Sequence, residues 1–193
     1  MAGRITEKTI QQFVEEVSDQ HHAMAGAVIA ASGAQAAALG EACMQISLDH
    51  QVDILDWQDV TARIEQMAGL KSSLIEWCNQ DGAAITEYAT LPESNNNLEK
   101  QRSLCDSPAA ISRLSISAVK LLEDFRPLVL ERVQDDLEMS IVLLTNTART
   151  AMLLLDSNLR IWPDSALLKE YEPILAELET QINQLTPVNR IRS

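Results

Sequence analysis

Residues 23–44 read AMAGAVIAASGAQAAALGEACM, a helix-length run with ten alanines in which Gly26, Gly33 and Gly40 recur seven residues apart. Residues three and four apart share a helix face, so Gly26, Ala30, Gly33, Ala37 and Gly40 fall on one side. A glycine inside a helix costs about 1 kcal/mol relative to alanine. Three in register therefore point to a close approach by another backbone. Two readings stay open: a tightly packed core helix, or a face that meets a second copy or a ligand. A membrane span is the weaker reading, because Ala and Gly are only mildly apolar and Gln35 and Glu41 interrupt the run.

Working outward, 193 residues suit a single domain, expected over 1–193 with its core at about 5–185. Hydrophobic residues make up 46% of the chain, glycine and proline number six each, and no long stretch alternates apolar with polar. That profile predicts an all-α protein, a compact bundle of five to six helices. The formal net charge of −13 argues against nucleic acid or an anionic membrane surface as partner. Cys43, Cys78 and Cys105 are scattered, odd in number and without metal-ligand spacing, as expected of core thiols in the cytoplasm. The polar start GRITEKT carries no secretory signature, so a soluble cytoplasmic protein is expected.

Apolar periodicity places the helices. Ile10, Phe13, Val14 and Val17 make one stripe over 6–18. Asp56 is a candidate N-cap for a long helix from Trp57 to about Thr90, which Pro92 and the polar run ESNNN end. Residues 92–105 read as an exposed loop. Ser107-Pro108 then reads as a cap followed by proline in the first turn, with Pro127 breaking the helix that follows. Residues 135–158 are apolar most of the way round, as in a central helix, and 165–185 form the last one.

Few residues break this pattern. Asp81 lies on the apolar stripe of its helix, between Leu74 and Tyr88, with Gly82 leaving space beside it. A carboxylate there is paired, hydrogen-bonded or shifted in pKa, so it is either tied to a neighbouring element or the acid of a pocket. Asp136 sits in Asp135-x-x-Glu138, a pattern that a capping box alone explains. Asn158 continues a stripe at a helix end, and His21 and His22 precede the positive end of the Ala/Gly helix, where an anion can bind. No P-loop, dinucleotide glycine fingerprint, paired Cys-x-x-Cys, His-Glu-x-x-His or Gly-x-Ser-x-Gly occurs.

In order and spacing, four segments resemble the methenyltetrahydrofolate cyclohydrolase / formimidoyltetrahydrofolate cyclodeaminase family. They are FVEEVSDQHHAMAGAVIAASGAQAAALGEAC (13–43), NQDGAAITEYATLP (79–92), SPAAISRLSISAVKLL (107–122) and DDLEMSIVLLTNTARTAMLLLDSNL (135–159). The family's proline- and glycine-rich turn reads His22-Ala23-Met24-Ala25-Gly26-Ala27-Val28 here and keeps one glycine. Its basic cluster falls on SLDHQVDILDW, which has no Lys or Arg. The resemblance implies a dimeric helical domain acting on a tetrahydrofolate derivative, with no metal or redox cofactor. It implies Asp81 and Asp136 as catalytic groups, and Gly26, His22 and Asn158 as ligand-binding ones. The alternative it leaves open is an inactive member serving as a dimeric binding or regulatory module.

Overall fold

The computed structural model describes residues 4–19, 22–50, 57–90 and 97–188. Among them all regular structure is helical: α1 (Ile10–Asp19), α2 (Ala25–His50), α3 (Trp57–Ala89), α4 (Leu98–Phe125), α5 (Gln134–Ile161) and α6 (Ser165–Asn183). Short 3₁₀ turns at Ile5–Glu7, Arg126–Leu128 and Glu131–Val133 link them. The expected all-α bundle is what the chain forms. Helices α2, α3, α4 and α5 make a ring of four, each packed on two neighbours, while α6 leans on α5 and α4. Contacts of Gly26 with Asp81 and of Gly33 with Leu74 set α3 antiparallel to α2. Gly33 with Thr147 and Gly40 with Ser140 do the same for α5.

The Ala/Gly helix is a core helix. Gly26, Gly33 and Gly40 all face the bundle interior, so the reading as a dimer seam does not hold for this stripe. What approaches them is side chain rather than backbone: the Asp81 carboxyl at Gly26, Thr147 and Leu74 at Gly33, Leu122 and Ser140 at Gly40. Buried serines bring the helices closer still. Ser140 donates to Ala36 O at 2.7 Å and Ser112 to Ala148 O at 3.1 Å. By length and composition α2 could cross a membrane, yet more than half of its apolar window is buried inside the bundle.

Helix starts differ from the sequence reading in three places. Thr9 and Gln12 exchange hydrogen bonds at the start of α1, a capping box that moves this start from residue 6 to Ile10. At α4 the cap is Asn97, whose side chain accepts from Lys100 N at 3.1 Å, so α4 starts at Leu98. Ser107 and Pro108 are thus interior, and Gln101, Leu104 and Cys105, expected in a loop, are buried. At α5, Val133 is the N-cap with no side-chain bond. Glu138 does not close a box with Asp135; it chelates Arg126 at 2.7 and 2.9 Å instead. A bidentate charged pair outweighs a local cap. The expected Asp56 cap lies outside the described residues.

Candidate functional site

The start of α2 has no cap of its own. Its first intrahelical bond runs from Val28 N to Met24 O, which makes Met24 the cap residue, and a thioether cannot satisfy the open N–H groups of a first turn. Asp81 of α3 does this instead. Its carboxylate accepts from the backbone N–H of Ala27 and, at Oδ1, from Ser107 Oγ of α4 at 2.7 Å. Gly26 is the residue that permits it: any Cβ there would overlap the Asp81 carboxyl. Three helices thus meet at one buried carboxylate, 4% exposed.

Burial raises the Asp81 pKa above the ordinary carboxylate range, and the bonds from Ser107 and Ala27 pull it part of the way back. The group therefore keeps its proton to higher pH than an exposed aspartate does. One turn earlier on α3, Cys78 is buried and its thiol is pushed up to about 11, first by burial and then by the negative charge of Asp81. Gly82 is the notch that the sequence suggested. It is filled by Ile5, whose side chain occupies the place of a Cβ, with Met24 beside it.

The other site expectations separate. His22 stands just before α2 with its Nε2 buried and, among the described residues, without a hydrogen-bond partner. Asn158 is 8% exposed, and its Nδ2 donates to Leu104 O at 2.7 Å. That carbonyl would pair with the N–H four residues on, but residue 108 is proline. Asn158 therefore supplies the donor that Pro108 lacks. Asp136 is elsewhere. It acts electrostatically on Cys43, near the far end of α2, whereas Asp81 lies against Gly26. Seventeen residues of helix separate those positions, about 25 Å at 1.5 Å per residue. Asp81 and Asp136 are not brought together. Ser107 was missed as a site residue because Ser-Pro reads locally as a helix start. Among the described residues no three His, Cys, Asp or Glu side chains converge as metal ligands.

The segment that carries Gly26, Asp81, Ser107 and Asn158 falls within residues 9–177, which match the formiminotransferase-cyclodeaminase family. The chain belongs to this family. No curated protein matches it in sequence. Among solved structures it is similar to formiminotetrahydrofolate cyclodeaminase from Thermotoga maritima, with a TM-score of 0.81 at 19% identity. The likeness covers 93% of this chain and 92% of that one. At that identity it speaks to the fold, and this family member shares it across nearly its whole length.

Proposed function

We propose that the protein works in folate one-carbon metabolism, closing or opening the methenyl bridge of a tetrahydrofolate derivative with Asp81 as its proton-transfer group. The observation that carries this reading is the buried carboxyl held over Gly26 by Ser107 and the Ala27 N–H, in a member of the cyclodeaminase family. In cyclodeamination, N10 attacks the carbon of the protonated formimidoyl group (an amidinium), the N10 proton passes to the departing nitrogen, and the C–N bond breaks to release ammonia and the methenyl cation. A carboxyl with a raised pKa takes this proton from N10 and gives it to the departing nitrogen. In cyclohydrolysis, water adds to the methenyl carbon, the same carboxylate accepts one of its protons and returns it to the ring nitrogen N5 as the C–N5 bond breaks, and the second proton leaves to solvent with a formyl group on N10. Neither route calls for a metal or redox cofactor.

Other aspects of the proposal rest on the surface. The outward line of α2 outside the trough, through Val28, Ser32, Ala42 and Gln45, carries no charge before Asp49 on a chain of net −13. On α5 beside it, Met139, Leu143 and Leu153 are exposed. A second copy avoids self-repulsion by meeting this face, so a homodimer through α2 and α5 fits better than one through the glycines. The same acidity disfavours nucleic acid and anionic membranes, and the three unpaired thiols suit the cytoplasm.

A second reading, an inactive member kept for binding or regulation, is favoured by one observation: Asp81 already serves as the cap of α2, and Ile5 closes the space beside it. The absorbance of methenyltetrahydrofolate, followed with wild type and Asp81→Asn, separates the two. A rate above the spontaneous one that vanishes in the variant supports the enzyme. Calorimetric binding of tetrahydrofolate without turnover supports the second reading, and neither rate nor binding overturns the folate reading altogether.

A further inference from the structure

Residues 4–19 lie on the bundle without entering it. Neither the Ile5–Glu7 turn nor α1 contains a buried residue, and Ile10 and Val14 are 74% and 58% exposed. The ties are few. Arg4 pairs with Glu76 at 2.7 Å, with both side chains more than half exposed, and such a pair contributes little. Thr6 donates to Asn79 Oδ1 through its backbone N (3.1 Å) and its hydroxyl (3.2 Å). Ile5 reaches into the Gly82 notch next to Asp81. Segments held this way open at far lower cost than the bundle unfolds.

Beneath this segment is a trough of about 310 Å³, at the lower end of small-ligand sites. Its floor is apolar: Ala31, Ala34 and Ala38 of α2 line it with Ile75 and Cys78 of α3. Lys8 of the covering segment and Lys71 of α3 line it too. Each has a glutamate partner outside the lining, Glu16 for Lys8 and Glu41 for Lys71. An ammonium has three donors, so each keeps some to offer. A narrow apolar floor with two ammonium groups in its lining suits a planar ring system that carries one carboxylate.

We propose that this trough binds a planar aromatic carboxylate under a lid formed by residues 4–19, whose displacement uncovers Cys78 and, past Ile5, Asp81. The inference stands apart from the one-carbon reading, since neither its ligand class nor its test involves turnover.

Cys78 reports on the lid, while Cys43 and Cys105, buried elsewhere in α2 and α4, serve as controls in the same molecule. Alkylation by iodoacetamide under native conditions is followed for each cysteine by peptide mass mapping. Asn79→Ala cuts the Thr6 clamp, and Cys78 should then react about tenfold faster, the factor that about 1.4 kcal/mol of lost clamp gives. The other two should keep their wild-type rates. Adding 2-naphthoate should slow Cys78 again, with saturation, and this protection should vanish in Lys71→Met and in Ala38→Trp, which fills the floor. An unaccelerated Cys78, or three cysteines reacting in step, overturns the lid. Failure of naphthoate to protect overturns the ligand site.

Discussion

The two ends of α2 use the same residue type for opposite purposes. At Gly40 the missing side chain is replaced by the methyls of Leu122 and the hydroxyl of Ser140, which is ordinary close packing. At Gly26 it is replaced by a carboxylate that caps the helix from another element. The charged groups differ in the same way. Near the far end Glu138 is neutralised by Arg126, whereas no cation lies among the bonded partners of Asp81, only a hydroxyl and a peptide N–H. A carboxylate stabilised by dipoles alone is one whose proton can move. The difference teaches that a glycine stripe marks proximity and says nothing of what comes close.

The largest effect expected is on turnover. If Asp81 carries the proton, Asp81→Asn lowers the methenyltetrahydrofolate rate about a hundredfold or more, while Asp136→Asn stays within about twofold of wild type. Equal losses in both would break the contrast between the ends. Next comes stability. Gly26→Ala displaces the carboxyl from Ser107 and Ala27 and should cost about 1–3 kcal/mol in urea unfolding. Gly40→Ala meets the Leu122 methyls and the Ser140 hydroxyl but displaces no charged group and regains helix propensity, so it should cost less than Gly26→Ala. Equal costs would show that Asp81 is no more fixed than Leu122.

A smaller effect is the pH dependence. The folded-state pKa of Asp81 is raised, so the native chain holds this proton more tightly than the unfolded one. Its contribution is then complete below the ordinary carboxylate pKa and is lost as pH rises through the raised value. The stability of wild type relative to Asp81→Asn should fall as pH rises from the ordinary carboxylate range through the raised value. A difference that grew with pH would reverse the balance of burial and hydrogen bonding. The smallest change in rate is expected of Asn158→Ala, which leaves Leu104 O without a donor and should cost about 1–2 kcal/mol of stability. A loss of rate larger than the loss of stability would return Asn158 to the ligand.

Much of this was legible because it is local. The period of Leu137, Ile141, Leu144, Ala148, Ala151 and Leu155 marks a helix buried along one face, and each of these side chains is buried. The seven-residue spacing of the glycines gives one face whatever packs on it. Asp81 stood out because a charge on an apolar stripe needs a reason. Capping was read less well. Ser107-Pro108 and Asp135-x-x-Glu138 both have the local chemistry of a helix start, yet Asn97 captures the first start and Arg126 draws Glu138 away from the second.

By itself, then, the sequence determined the helices, the buried face of each, the family resemblance and the anomaly at Asp81. These follow from periodicity and composition, which every residue carries with it along the chain. Only the tertiary structure decided that Asp81 caps α2, that Ser107 holds it, that Ile5 fills the Gly82 notch, and that Asp136 acts on Cys43 toward the other end of α2. Those contacts join residues 26 to 77 positions apart in number or set them at opposite ends of one helix, and no local pattern encodes which helices become neighbours.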